Sequence, residues 1–136
     1  MSITVIEKLS VPSELSSVSI VESLIDRVCG TLGVHEEAYG NILIAVTEAV
    51  NNAVIHGNCF RSELEVDVEV INVDDRLCFS VKDKGKGFDF DNLPDPTAPE
   101  NLEKENGRGI FLIRNLADDL NFDDGGRIVN IYFNRA

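Results

Sequence analysis

The chain has 136 residues, of which 43% are hydrophobic and 26% are charged, and its formal net charge is −12 at pH 7. This length predicts one domain over residues 1–136 with a substantial hydrophobic core. The acidic balance argues against direct nucleic-acid binding, which relies on a basic surface. No apolar run approaches the roughly 20 residues of a membrane span, and no secretory signal is visible, so we expect a cytoplasmic protein.

The first half of the chain predicts one strand and two helices. Ile3 to Leu9 alternate in polarity as an edge strand does. Ser13 is placed to cap a helix that continues to about Cys29, where Gly30 and Gly33 end it. A second helix is predicted from about His35 to His56.

The second half changes to a period of two. A hairpin is predicted over residues 64–82, followed by a long lid over residues 89–106, a helix over 109–117, a short strand at 121–122 and a last strand over 128–133. Antiparallel strands with helices collected on one side predict an α+β, two-layer α/β sandwich with a mostly antiparallel mixed sheet.

The stretch Ile42–Gly57 reads ILIAVTEAVNNAVIHG and carries the first candidate site. Glu48 and Asn52 are one helical turn apart, at the margin of an apolar face. An asparagine oxygen is a suitable ligand for Mg²⁺, and a nearby glutamate can accept a proton from a hydroxyl. The same spacing also occurs on ordinary amphipathic helices, so the pair alone leaves both interpretations open.

Two glycine segments follow. In DKGKGFD, Asp83 ends a strand and precedes Gly85 and Gly87. The flexible glycine backbone could let a flat ring approach closely, and the Asp83 carboxylate could accept a hydrogen bond from the exocyclic amine of adenine. In NGRGIFL, free backbone N–H groups at a helix start could bind an anion. Each segment is equally compatible with a plain turn or helix entry. Basic residues near them that could meet phosphate are Lys84, Lys86, Lys104 and Arg108.

Taken together and in this order, the three segments resemble the Bergerat-fold (GHKL) ATPases. TEAVNNAVIHG is similar to their N box, DKGKGFD to their first glycine box and NGRGIFLI to their second. The run Glu48-Ala-Val-Asn-Asn-Ala-Val-Ile-His-Gly57 is most similar to the bacterial anti-sigma factor serine/threonine kinases. The resemblance covers nearly the whole chain.

The resemblance implies a role for each matching residue. It implies that Asn52 is the Mg²⁺ ligand, Glu48 the general base and Asp83 the adenine-reading carboxylate. It further implies that Gly85 and Gly87 lie under the base and that Gly107 and Gly109 form a phosphate-contacting lid hinge. Lys104 and Arg108 join the nucleotide-binding candidates through their charge and position. One departure is visible, because Arg127 stands where the family often has threonine as a second adenine contact.

The implied function is an ATP-binding anti-sigma factor with protein serine/threonine kinase activity. ATP or ADP and Mg²⁺ are the implied cofactors, and the implied partners are a sigma factor, a STAS-type anti-anti-sigma protein and a second copy of the chain. The alternative is a nucleotide-dependent protein-binding module without kinase activity.

Overall fold

A computed structural model describes residues 3–85 and 105–135, without the side chains of residues 105–108. The five strands are β1 (Ile3–Pro12), β2 (Glu65–Val73), β3 (Arg76–Lys82), β4 (Asp119–Asp123) and β5 (Ile128–Asn134), and the α-helices are α1 (Val18–Leu32), α2 (Glu36–Asn52) and α3 (Glu105–Leu116). The sheet order is β1-β2-β3-β5-β4. The predicted α+β fold is confirmed. Among the described strands every pairing is antiparallel, whereas a mixed sheet was expected.

The core lies between one face of the sheet and the helices. Alternate residues of β2, Val66, Val68 and Val70, are buried, as the period of two predicts. The apolar face that helical spacing predicts over residues 42–53 is also confirmed. Four of its residues are buried on α2 and the fifth, Ala53, is buried at the start of the turn that follows: Ile42, Val46, Ala49, Val50 and Ala53. Among the described strands β1 pairs only with β2 and is therefore the predicted edge strand. Among the described residues no helix has the length and apolar character needed to cross a membrane.

The start of the first helix differs from the prediction. A 3₁₀ turn over Leu15–Ser17 precedes α1, which begins at Val18. Ser13 is not a helix cap, because its Oγ donates to the carbonyl of Leu64, 2.5 Å away, at the entry to β2. The end of α1 also lies later than Cys29, and Gly33 at φ 65° closes it while Gly30 remains helical.

The second helix changes its winding at its end. α2 is α-helical to Asn52 and continues as a π-helical turn over Ala53–Gly57. The amide of Asn58 donates to the carbonyl of Ala53 at 2.7 Å, which closes this wider turn. Single π-helical turns are frequent at functional sites because they re-aim the residues that follow. Most of the predicted lid, residues 89–104, lies outside the described residues.

The packing of α3 gives a direct test of the fold. Ile113 on α3 is completely buried, so Ile113→Ala is expected to lower the free energy of unfolding by about 2–5 kcal/mol. Urea unfolding followed by circular dichroism measures the change. The control is the neighbouring Leu112→Ala, because Leu112 is 39% exposed and its truncation should stay within about 0.5 kcal/mol. Equal losses in both variants would contradict this orientation of α3.

Candidate nucleotide site

Glu48 and Asn52 lie against α3 at its fifth residue, Gly109. A Cβ added to Gly109 would stand 2.6 Å from Glu48 Oε1 and 2.7 Å from Asn52 Nδ2. Real side chains do not approach so closely, so any larger residue at position 109 would require the ends of Glu48 and Asn52 to move. The structure therefore brings together one residue of the second glycine segment and the two polar residues of α2.

The Asp83 turn is packed with the same closeness. A Cβ on Gly57 would stand 2.4 Å from Asp83 Cγ, and a Cβ on Gly85 would stand 2.1 Å from the carbonyl oxygen of Gly57. The amide of Gly85 donates to Asp83 Oδ1 at 2.8 Å. Two glycines from distant segments thus leave the space in which the carboxylate lies. Gly57 enters the site because the π-helical turn carries the end of α2 towards β3.

A cavity of about 90 Å³ opens beside this turn. Its walls are mostly apolar, and its polar lining includes Asp83, Asn52, His56 and Arg127. Such a volume holds more than one water, and apolar walls with a few polar groups are typical of ligand sites. The apolar lining residues are Ala49, Ala53, Val81, Ile110, Phe122 and Val129.

A wider groove lies on the other side of Asn52. It is lined by Glu48 and Asn51 of α2 and by Gly109 of α3, with Leu15 at its edge. Asn52 and His56 line both spaces. An extended ligand can therefore place a ring beside Asp83, pass Asn52 and end beside Glu48.

The Asn52 carboxamide has unused hydrogen-bonding capacity. Its Nδ2 is buried and has no hydrogen-bond partner among the residues that the structure describes. Buried polar groups are normally paired, and those left unpaired are often found at binding sites. Within the described chain no group of three His, Cys, Asp or Glu side chains could hold a metal. The unpaired Nδ2 can donate to a phosphate oxygen, and the amide oxygen of the same side chain is a suitable ligand for an Mg²⁺ that completes its shell with phosphates and water.

The electrostatics of Asp83 are set by its burial. Desolvation raises the pKa of its carboxyl above the ordinary value of 3.8 and outweighs the hydrogen bond from Gly85 and the charge of Arg127, both of which lower it. Asp124 adds a smaller increase. Holding an ionised carboxylate at this position therefore costs free energy, and groups with such perturbed pKa values are frequent at functional sites.

The other predicted site residues fall differently. Gly87 and Lys104 lie outside the described residues, as does the side chain of Arg108, whereas Gly107 lies in the first turn of α3. Lys84 does not meet the site, because its Nζ pairs with Asp67 Oδ2 at 2.8 Å on β2. The expected contact of Lys84 with phosphate therefore stays a prediction.

Comparison with known proteins identifies the family of this chain. The histidine kinase-like ATPase domain family matches residues 11–133, so the chain belongs to that family. Two relatives are named serine-protein kinase RsbW. The one from Listeria monocytogenes is 30% identical over 89% of this chain and 82% of its own length, and the one from Oceanobacillus iheyensis is 28% identical over 86% and 78%. Within the ATPase fold, the chain therefore belongs to the RsbW-like anti-sigma kinases, a family of ATP-dependent serine/threonine kinases, which confirms the resemblance.

Two solved structures share the fold. The RsbU and RsbW domains of a Mycobacterium tuberculosis protein match with a TM-score of 0.67 at 16% identity, over 95% of this chain and 32% of that one. A blue-light activated histidine kinase of Erythrobacter litoralis matches with a TM-score of 0.58 at 22% identity, over 91% and 42%. This chain thus spans less than half of either protein, and these likenesses bear on the fold alone.

Gly109→Ala is expected to displace Glu48 and Asn52, because the added methyl group needs the space that their side-chain ends occupy. A small misplacement of reacting groups can cost about 100-fold in rate, so phosphoryl transfer should fall by at least about tenfold. The control is Gly40→Ala in α2, where an added Cβ meets nothing within 4 Å. A kinase assay in which both alanine variants keep the wild-type rate would contradict the close packing at Gly109.

Asp83→Asn is expected to stabilise the protein at neutral pH, because the variant removes a buried charge while its amide oxygen can still accept from Gly85. The raised pKa in the folded state means that wild-type stability is lost as the pH rises from the ordinary carboxyl range through the folded pKa. The advantage of Asp83→Asn should therefore be absent in strong acid, grow over that interval and then stay constant. Chemical denaturation at several pH values measures it, and an advantage greatest at low pH would be the contrary result.

Proposed function

We propose that this chain binds Mg-ATP between α2, α3 and the Asp83 turn and transfers the γ-phosphoryl group to a serine or threonine of a STAS-type anti-anti-sigma protein. The single observation that carries the proposal is the position of Asn52 between two spaces, a cavity that contains Asp83 and a groove that contains Glu48. This order matches the order of base, phosphates and acceptor along a kinase substrate pair.

Base recognition falls to Asp83 in this proposal. Its ionised carboxylate accepts a hydrogen bond from the exocyclic amine of adenine, while Gly85 and Gly87 let the ring approach the backbone. A carbonyl oxygen at the same position of guanine would face the carboxylate and be repelled. The apolar walls of the cavity cover the faces of the ring.

The phosphates are assigned to Asn52 and the start of α3. Asn52 would hold Mg²⁺ through its amide oxygen, and the bound ion would neutralise charge on the β- and γ-phosphates. The N–H group of Gly107 lies in the first turn of α3, where backbone amides lack helical acceptors and suit an anion. Gly109, the fifth residue of α3, leaves the space that Glu48 and Asn52 occupy. Lys104 and Arg108 are the proposed side-chain contacts to phosphate.

The transfer step uses Glu48 as the base. The acceptor hydroxyl approaches through the groove, and its proton passes to the Glu48 carboxylate. A bond forms between the acceptor oxygen and the γ-phosphorus while the bond from that phosphorus to the β–γ bridging oxygen breaks, and ADP leaves with the electron pair. Positioning and charge stabilisation supply most of the rate in such reactions.

The proposed output is regulatory. The chain would act in the cytoplasm as a homodimer that holds a sigma factor and exchanges it for the STAS-type protein, whose phosphorylation ends that exchange. An acidic surface suits partners that present basic residues, because the net charge of −12 favours their approach.

Glu48→Gln keeps the size of the side chain and removes its ability to accept a proton. The rate of phosphoryl transfer to a co-encoded STAS-type protein should fall by about 100-fold or more, while the Kd for Mg-ATP changes little. Phosphate-affinity gels measure the rate, and titration calorimetry measures the binding.

The control is Glu37→Gln, which makes the same chemical change at an exposed position of α2 outside the cavity and the groove, and which should retain transfer. Normal transfer by Glu48→Gln would remove Glu48 from its assigned role. Mg-ATP binding without any transfer by the wild-type chain would instead support the nucleotide-dependent binding module.

A further inference from the structure

The backbone of the Asp83 turn is held at three consecutive residues. The amide of Asp83 donates to the carbonyl of Arg127 at 3.0 Å. The amide of Lys84 donates to Asn58 Oδ1 at 2.7 Å, and the carbonyl of Gly85 accepts from Arg127 Nε at 2.7 Å. Two side chains from opposite sides therefore fix a turn that contains a glycine and follows the end of a strand.

Asn58 is anchored before it reaches the turn. It is 1% exposed, and its Nδ2 donates to Ser13 Oγ at 2.8 Å and to the carbonyl of Glu65 at 3.2 Å. With its nitrogen facing these acceptors, the amide oxygen faces the N–H of Lys84. The orientation of the carboxamide is thus fixed by its own hydrogen bonds, and Asn58 joins the end of α2 and the start of β2 to the turn.

Arg127 holds the other side. Its Nη1 donates to the carbonyl of Asp124 at 2.9 Å and lies 3.5 Å from the Asp124 carboxylate. The guanidinium therefore bridges the segment before β5 and the carbonyl of Gly85. Arginine can do this because its planar group carries several donors in a fixed geometry, which a threonine at this position would lack.

We propose that Asn58 and Arg127 are positioning residues that hold the Asp83 carboxylate in register with the base and so set the preference for adenine over guanine. The proposal rests on the assignment of Asp83 to base recognition made above. Neither residue needs to touch the nucleotide, since both act on the backbone that carries Asp83.

The physical basis is preorganisation. Without the hydrogen bonds at Lys84 and Gly85, a turn that contains glycine samples more conformations. Ordering this turn when the ligand binds then costs free energy, whereas the anchored turn is already ordered. The loss of affinity is expected for the ligand whose base binds the Asp83 carboxylate. ATP should therefore lose more affinity than GTP, and the ratio of the two dissociation constants should fall.

The test measures the Kd of Mg-ATP and Mg-GTP by calorimetry on the full chain and on three variants. Asn58→Ala and Arg127→Met should each weaken ATP binding by about threefold to tenfold, as expected for the loss of one or two ordering hydrogen bonds, and should reduce the GTP-to-ATP ratio of Kd values. For Asn58→Ala the rate of transfer at saturating ATP should remain near the wild-type value, because Asn58 lines neither the cavity nor the groove.

Ser13→Ala is the matched control. It removes a partner of Asn58 but leaves the bond from Lys84 to Asn58, so it should lower the unfolding temperature and leave the ratio unchanged. If Asn58→Ala fails to fold, Arg127→Met carries the test, because the Arg127 side chain is 36% exposed and its aliphatic stem is retained.

The outcomes separate the possible failures. If Arg127→Met weakens ATP and GTP equally, Arg127 contacts the ligand directly and its positioning role is overturned. If Ser13→Ala lowers the ratio as much as Asn58→Ala, the effect of Asn58 is general destabilisation. If the wild-type chain prefers ATP and the variants keep the same GTP-to-ATP ratio of Kd values, only this inference is overturned. If the folded wild-type chain binds no Mg-ATP, the proposed function is overturned and this inference with it.

Discussion

The contact between the backbone at Gly109 and the side chains of Glu48 and Asn52 is the constraint on which the site depends. It brings the fifth residue of α3 against the polar margin of α2, so that the helix backbone, an amide and a carboxylate lie close together. Buried residues farther along α3, Ile110 and Ile113, keep the helix in this place. Packing and chemistry are therefore joined in one element, because the apolar face of α3 determines where its first turn lies.

A second consequence of close packing is the geometry of Asp83. The π-helical turn at the end of α2 brings Gly57 beneath the carboxylate, and the absence of a side chain there leaves room for it. An ordinary α-helical end would direct the following residues elsewhere. The wider turn also leads directly into Asn58, whose amide reaches the same strand end. One local irregularity thus supplies both the space around the carboxylate and one of its supports.

Local sequence patterns predicted the helices and strands well, because alternation and helical spacing depend on neighbouring residues. Alternation placed Val66, Val68 and Val70 in the core, and helical spacing placed the buried face of α2. The part of the candidate site that could be predicted is the part where glycine segments indicate that the backbone lies close to another group. Contacts between distant segments could not be predicted, since spacing contains no signal for them.

Particular residues show this limit. Ser13 precedes a helix and has the chemistry of a cap, yet its hydroxyl is taken by Leu64 and Asn58. Lys84 lies between two site residues in sequence, yet the direction of its side chain sends it to Asp67. Arg127 was visible only as a departure from a family pattern, and its bond to Gly85 joins residues 42 positions apart.

The buried Nδ2 of Asn52 finds no acceptor in the described part of the chain, and this has a consequence for the cost of maintaining the site. An unpaired buried amide lowers the stability of the empty protein by about 1–3 kcal/mol. An apolar residue of similar size would avoid that loss, so stability alone selects against asparagine at this position. An acceptor supplied by a bound ligand would pair this N–H group, so that binding and the stability of the fold would increase together.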